Sequence, residues 1–90
     1  MNKSSYTYML RCSDNSLYTG WTTDIEERIK THNLGQGAKY TRNRLPVKLV
    51  YLKEFENKSK AMKFEYWIKK KLSRKEKENL VSCYHCQGGN

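Results

Sequence analysis

Two cationic side chains share a helix face that should otherwise be apolar. Arg28 and His32 are four residues apart, and at helical spacing they lie on the same face as Ile25 and Ile29. A guanidinium can bind a phosphate through two parallel hydrogen bonds, and an imidazole titrates near neutral pH, where it can act as a base. The alternative for His32 is an ordinary residue near a helix C-terminus, where positive charge is stabilising.

A carboxylate interrupts a second helical pattern in the same way. Glu65 lies between Phe64 and Ile68, so the helical period places it partly inside the protein. A buried charge without a partner costs on the order of several kcal/mol. We therefore expect a partner for Glu65, either a metal ion or Arg28. The alternative is an ion pair with Lys69, one turn further along the helix edge.

Tyrosines recur in the first two strand-like segments. Tyr6 and Tyr8 precede a turn cluster, and Tyr18 follows it. A phenol can orient water or a phosphate, but it titrates near pH 10, so it acts as a base only if its pKa is lowered. Most strand tyrosines are plain sheet aromatics, and that interpretation remains open for these three.

The periodicity of the chain predicts three strands and three helices. We expect strands at 6–12, 17–21 and 47–55, helices at 24–33, 60–72 and 74–81, and a loop at 37–46. Capping boxes mark two helix starts, Thr23 with Glu26 and Ser73 with Glu76. The third strand is apolar on both faces around Leu49, which predicts a central place in the sheet.

This order of elements, β-β-α-β-α-α, predicts an α/β (α+β) fold. We expect a small three-stranded antiparallel sheet flanked by helices, formed by residues 1–82. Residues 83–90 end in a glycine-rich stretch, so we expect them to form a flexible C-terminal tail.

The charge of the chain indicates a polyanionic partner. Lys and Arg number 18 against 9 acidic residues, which gives a net charge of +9 over 90 residues. Cations placed on phosphates release counterions, so nucleic acid is the expected partner. A merely basic soluble surface is the alternative, and an acidic membrane surface is a weaker one. We find no apolar run long enough for a membrane span and no signal peptide, so we expect a cytoplasmic protein with no membrane association. In isolation we expect a monomer, although the sequence leaves the oligomeric state open.

The cysteines do not predict a disulfide framework, because there are three of them. Cys83 and Cys86 have the C-x-x-C spacing of zinc and redox sites. A zinc site would need two further ligands, for which only Cys12 and His32 remain. We interpret the pair as part of the tail.

Taken together, these residues resemble the GIY-YIG nuclease family. Its two signature tripeptides correspond to Tyr6-Thr7-Tyr8 and Tyr18-Thr19-Gly20, and the similarity runs from about residue 6 to residue 79. It is greatest to a small stand-alone bacterial branch, of which the phrase Gly37-Ala38-Lys39-Tyr40-Thr41-Arg42 is typical. The most specific feature is the ordered set Tyr8, Tyr18, Arg28, His32 and Glu65.

The chain departs from the family pattern at a few positions. Tyr6 stands where the family name has glycine, and Thr7 and Thr19 replace isoleucines. We interpret these three positions as structural. Trp21 stands where some members have lysine, and Asn79 is the candidate for an asparagine that often follows the glutamate helix.

The resemblance implies phosphodiester hydrolysis with one divalent metal, Mg²⁺ or Mn²⁺, held by Glu65. Arg28 would then grip the phosphate and offset developing charge. Tyr8 is our first choice for the base that deprotonates water, with Tyr18 orienting water or phosphate. His32 is the alternative base.

This mechanism sets a geometric condition, because Tyr8 and Tyr18 must reach one site. A two-residue hairpin loop would place them on opposite faces of the sheet. The hypothesis therefore predicts an odd-length loop or a bulge around Asp14 and Asn15.

Affinity for nucleic acid is expected from the basic loop and from the end of the second long helix. The residues that we expect to contact it are Lys39, Tyr40, Arg42, Arg44, Lys69 and Lys70. The lysine run could instead be a solvated helix face. We expect DNA rather than RNA as substrate, and the resemblance implies a role in repair or recombination. The alternative function is a nucleic-acid-binding module with little or no turnover.

Overall fold

The computed structural model describes residues 4–88, and only the backbone of residues 85–88. Within this range the elements are β1 (Ser5–Arg11), β2 (Leu17–Thr22), α1 (Ile25–Asn33), α2 (Lys39–Arg42), β3 (Lys48–Phe55), α3 (Lys58–Lys71) and α4 (Arg74–Gly88). The predicted order is confirmed, with the one-turn helix α2 added inside the predicted loop. None of the helices in the described range is long and apolar enough to cross a membrane.

The sheet is antiparallel, as predicted, but its central strand is β1. The strand order is β2-β1-β3, so the prediction that the third strand is central is wrong. Tyr8, Met9 and Leu10 of β1 are fully buried because β1 has a strand on each side and helices on both faces. The apolar character of β3 on both faces reflects these helices, which cover the edge strand as well.

A bulge in β3 changes the face of the sheet to which its apolar side chains point, so these side chains pack into two different hydrophobic cores. Met9 pairs with Tyr51 and Leu10 pairs with Leu49, so Val50 is the extra residue. As a result Val50 and Tyr51 both face the core that contains Met9, whereas Leu49 faces the core that contains Leu10.

The two cores define three layers. On one face, Ile25 and Ile29 of α1 pack against a buried cluster of Tyr8, Leu10, Cys12 and Val47. On the other face, α3 and α4 contribute to a cluster of Met9, Val50, Ile68 and Val81. The inward side of α3 is an apolar stripe, in which Ala61 and Ile68 are buried and Phe64 and Leu72 are partly buried.

The hairpin between β1 and β2 has the odd-length loop that the two tyrosines require. The Cys12 amide donates to the Ser16 carbonyl at 2.9 Å, which leaves three residues in the loop. Asn15 adopts a left-handed conformation with φ 70°, which is typical of the last position of such loops. Leu10 therefore pairs with Tyr18, and both tyrosines lie on the same face as Leu10.

One predicted helix cap is wrong and one is confirmed. The N-cap of α1 is Asp24, whose carboxylate accepts from the Glu27 amide at 3.2 Å. The N-cap is thus displaced by one residue from the predicted Thr23, because the Asp24 carboxylate makes the capping bond, while the Asp24 amide donates to Thr22 Oγ1. The second box forms reciprocally, with Ser73 and Glu76 side chains each bonded to the other's amide.

Helix α4 runs further than predicted. It continues to Gly88 rather than ending near residue 81. The flexible tail expected at 83–90 stays a prediction. The side chain of Cys86 lies outside the described residues.

Candidate active site

Gly20 gives the Tyr8 ring room to lie across the edge strand β2. The two residues are directly opposite each other in the β1–β2 register. A Cβ atom on Gly20 would lie 2.5 Å from the Tyr8 Oη atom and 2.7 Å from Cζ, closer than real contacts allow. The absence of a side chain at Gly20 therefore determines where the Tyr8 hydroxyl lies.

The Tyr8 hydroxyl joins the two polar residues of α1. Arg28 donates from Nε to Tyr8 Oη at 3.3 Å, and His32 Nε2 lies 3.1 Å from the same oxygen. Arg28 and His32 share one helix face at a spacing of four, and this places both against one phenol. His32 itself is fully buried.

His32 is held from its other side by the helix α2. Its Nδ1 atom lies 2.8 Å from Thr41 Oγ1, and that hydroxyl donates its only proton to the Ala38 carbonyl at 3.0 Å. With its proton on Nδ1, the imidazole donates to Thr41 and Nε2 is free to accept from Tyr8; with its proton on Nε2, Nδ1 accepts and Nε2 donates to Tyr8. The Ala38 amide also points at Nδ1, but at 3.5 Å it is the longer contact.

The local environment determines the protonation of these groups. Burial raises the pKa of Tyr8 to about 12, and the Arg28 bond only partly opposes this. Burial, and then the charge of Arg28, lower the pKa of His32 below its ordinary value. Bonding to Tyr8 raises the pKa of Arg28 further. At neutral pH the cluster therefore consists of a neutral phenol, a neutral imidazole and a guanidinium, and the lowered Tyr8 pKa that a phenolate base requires is absent.

Glu65 reaches the same site from α3. Its side chain is 19 % exposed, and its negative charge contributes to the raised pKa of Tyr8. Its carboxylate pairs with Lys69 Nζ at 3.2 Å, and that ammonium also lies 5.6 Å from the centre of the Tyr18 ring. The ion pair between Glu65 and Lys69, which was the alternative interpretation, is therefore present. It lies within the site and not away from it.

Tyr18 is the centre of an aromatic group beside the cluster. Its ring lies 6.4 Å from that of Tyr8 and 5.2 Å from that of His32. Tyr40 of α2 stacks on its other side at 6.0 Å and is 41 % exposed. Tyr18 therefore connects the buried cluster to the surface.

The other predicted nucleic-acid contacts fall into two groups. The Arg44 guanidinium lies 4.1 Å from the centre of the Tyr40 ring and also bonds to Asp14 at 2.9 Å. Arg44 is thus used to hold Tyr40 in place. The residues that remain exposed are Lys39, Arg42, Lys69 and Lys70.

Sequence reasoning missed Thr41 and Gly37, although both lie in a phrase that is typical of the family branch. Thr41 is fully buried and orients His32. A Cβ atom on Gly37 would lie 2.6 Å from His32 Cγ. Conversely, Asn79 lines a separate groove with Trp67, away from Glu65.

Metal ligands are sparse. Among the residues whose surroundings are described, no three His, Cys, Asp or Glu side chains are grouped as a metal-binding cluster. Cys12 is buried and Cys83 is exposed, and both are free thiols. Any metal held at Glu65 would have one protein carboxylate and would take its remaining ligands from water and a phosphate, an arrangement that Mg²⁺ commonly has.

Comparison with known proteins shows the family of the chain. The sequence model of the GIY-YIG catalytic domain family matches residues 4–79 of this chain. The chain is 57% identical over 76 residues to the UPF0213 protein YsiG of Lactococcus lactis, covering 84% of this chain and 73% of that one. It is 60% identical over 78 residues to the UPF0213 protein CPE1444 of Clostridium perfringens, covering 87% and 83%.

Two solution structures are similar as well. The UPF0213 protein BH0048 of Bacillus halodurans has a TM-score of 0.58 and 52% identity, with 89% of this chain and 84% of that chain covered. The protein EF2693 of E. faecalis has a TM-score of 0.62 and 44% identity, with 97% and 94% covered. On the matched domain and these identities, the chain belongs to the GIY-YIG family, in its small single-domain UPF0213 group.

Proposed function

We propose that this protein is a metal-dependent endonuclease that hydrolyses phosphodiester bonds of nucleic acid, DNA in preference to RNA. One observation supports this most strongly. Arg28 and His32 meet at the Tyr8 hydroxyl, and the Glu65 carboxylate lies close enough for its charge to act on that hydroxyl. A phosphate-binding cation, a proton acceptor and a hard oxygen ligand are thus combined at one place.

Glu65 is the residue that would hold the divalent metal. A carboxylate oxygen is the ligand that Mg²⁺ and Mn²⁺ prefer, and the Lys69 ammonium already occupies a cation position beside it. When bound, the metal supplies Lewis-acid polarisation of a phosphate oxygen and stabilisation of the leaving oxygen.

Arg28 is the residue that would bind the scissile phosphate. Its Nε donates to Tyr8 and its guanidinium also interacts with the Tyr18 hydroxyl, and the remaining N–H groups of the guanidinium would donate to phosphate oxygens. Because Tyr8 keeps the guanidinium in place, the phosphate would be positioned next to the phenol. Arg28 would also offset the negative charge that grows on the phosphate during attack.

Tyr8 and His32 would together remove the proton from the attacking water. Since the Tyr8 pKa is about 12, we assign a relay instead of a free phenolate. The water proton passes to Tyr8 Oη as the phenol gives its own proton to His32 Nε2, which is unprotonated in the neutral tautomer that has its proton on Nδ1. The water oxygen bonds to phosphorus, the bond to the leaving oxygen breaks, and that oxygen takes a proton from solvent.

The surface beside Tyr18 would bind the rest of the strand. Lys39, Arg42 and Lys70 are exposed and suited to phosphates, which carry no sequence information. Tyr40 is 41 % exposed, and because Tyr18 and Arg44 already lie against its ring, a base would contact the part of the ring that they leave uncovered.

A cleavage assay tests the proposal. Supercoiled plasmid, branched DNA and RNA would be incubated with Mg²⁺ or Mn²⁺, with and without EDTA. We expect nicking that EDTA and Glu65→Gln abolish. The matched control is Glu54→Gln, which removes an exposed carboxylate on β3 and should cut like the wild type. If Glu65→Gln cuts at the wild-type rate, the proposed role of Glu65 is wrong.

The net charge of +9 favours a second candidate, a nucleic-acid-binding module with little or no turnover. It predicts salt-sensitive binding of the same substrates with no cutting in either metal. The cleavage assay and a salt titration of binding therefore distinguish the two functions.

A further inference from the structure

A mostly apolar groove lies beside the candidate active site. It has a volume of about 790 Å³ and lies between Trp21 on β2 and the side chains of Met62 and Tyr66 on α3. Met62 is 47% exposed and Tyr66 is 60% exposed, so large apolar groups face solvent here. An exposed patch of this kind on a small domain usually marks a binding site.

The groove is continuous with the groups that would bind the scissile phosphate. Glu65 is one of its lining residues. Trp21 and Lys58 line both this groove and a neighbouring depression that contains Arg28. A strand whose phosphate lies between Arg28 and Glu65 would therefore pass over Trp21.

The charges around the groove fit a nucleotide. Lys58 and Lys63 lie at its border, and the whole chain carries a net charge of +9. Aromatic rings beside cations are the combination that binds unpaired nucleotides, since the rings stack on bases and the cations contact phosphates. A second copy of this chain is a less suitable occupant, because its own net charge of +9 would be repelled by these lysines.

We propose that this groove is a subsite for one unstacked nucleobase next to the scissile phosphate. Trp21 and Tyr66 contact the base, and Lys58 and Lys63 contact the adjoining phosphates. The inference rests on the proposed function and narrows its substrate class to strands in which at least one base can leave its stack.

The intrinsic fluorescence of Trp21 tests the subsite without any cleavage. The chain has two tryptophans, and Trp67→Phe leaves Trp21 as the reporter. This variant would be titrated in EDTA with a short single-stranded deoxyoligonucleotide and with an abasic strand of equal length. We expect quenching by the first strand, and affinity weaker by roughly 5- to 150-fold for the abasic strand. In the reverse variant, Trp21→Phe, the remaining Trp67 should show no such quenching.

Tyr66→Ala provides a second test, and folding should tolerate it because the ring is mostly exposed. It should reduce the preference for the strand with bases over the abasic strand, at unchanged circular dichroism. Equal affinity and equal quenching for both strands would overturn the subsite. Quenching that grows with protein concentration alone would also overturn it, because a second copy would then occupy the groove. If the protein binds the strand with bases more tightly than the abasic strand but does not cut DNA in Mg²⁺, the subsite stands and the proposed hydrolysis is wrong.

Discussion

Gly37 is packed so tightly against the His32 ring that one added methyl group should disrupt the site. A Cβ atom there would lie 2.6 Å from Cγ and 2.8 Å from Cε1 of the imidazole, with Nδ1 closer still. The ring would have to move by about 1 Å, yet it is fully buried and bonded to both Tyr8 and Thr41. Overpacking costs about 1–3 kcal/mol and each lost hydrogen bond about 1 kcal/mol. We therefore expect Gly37→Ala to lower the free energy of unfolding by about 2–4 kcal/mol.

Urea denaturation of a double-mutant cycle isolates the steric cause. In a His32→Ala background the ring is absent, so Gly37→Ala should cost less than about 1 kcal/mol. Gly35→Ala is the matched control, because Gly35 has φ +77° and its Cβ would meet only a Leu45 methyl at 3.9 Å. It should cost about 1 kcal/mol through the backbone and leave cleavage unchanged.

An equal stability cost of Gly37→Ala in the wild-type and His32→Ala backgrounds would contradict the steric role of Gly37. So would a Gly37→Ala variant that loses no more stability than Gly35→Ala and cleaves normally. Either result would mean that the close contact of Gly37 does not hold the His32 ring.

Three further predictions concern Tyr8, Thr7 and Lys69. Because the Tyr8 pKa is about 12 when folded and about 10 when unfolded, stability should be complete below pH 10 and fall by about 2.5 kcal/mol as pH rises to 12. Tyr8→Phe should lack this component in denaturant titrations across that pH range. Thr7→Val removes the buried 2.7 Å bond to the Ala61 carbonyl and should cost about 1 kcal/mol in urea denaturation. Lys69→Met should strengthen Mn²⁺ binding about two- to fivefold by calorimetry, whereas Lys70→Met should not.

Each of these predictions has a contradicting outcome. Parallel stability curves for wild type and Tyr8→Phe between pH 10 and 12 would show that Tyr8 titrates alike in both states. An unchanged unfolding free energy for Thr7→Val would mean that its hydroxyl does not anchor α3 to β1. Equal Mn²⁺ affinity for the Lys69 and Lys70 variants would show that Lys69 does not compete for Glu65.

The faces of secondary structure could be predicted because they follow from fixed periods. Arg28 and His32 lie on one helix face at a spacing of four, and both reach Tyr8. In a hairpin, an odd or even number of loop residues likewise decides which side chains share a face of the sheet. Because Tyr8 and Tyr18 had to share a face, the sequence predicted a loop with an odd number of residues.

Features that depend on tertiary packing could not be predicted in this way. The strand β3 lies at the edge of the sheet, yet it is apolar on both faces because helices cover it on both sides. Thr41 is fully buried through its bond to His32, and nothing in local periodicity distinguishes it from a surface loop residue. Arg44 stays a predicted phosphate contact, but local sequence could not show that its guanidinium also bonds to Asp14 and lies over the Tyr40 ring.

A single metal titration followed by NMR tests most directly whether Glu65, Tyr8, Tyr18 and Arg28 form one site. NMR spectra would follow the Glu65 amide, the Tyr8 and Tyr18 rings and the Arg28 Nε proton as Mg²⁺ is added. We expect all four signals to shift along one binding curve, and Glu65→Gln to abolish the shifts while Glu54→Gln preserves them. Shifts confined to exposed carboxylates, with Tyr8 and Arg28 unmoved at saturation, would contradict a metal-dependent hydrolytic centre in this protein.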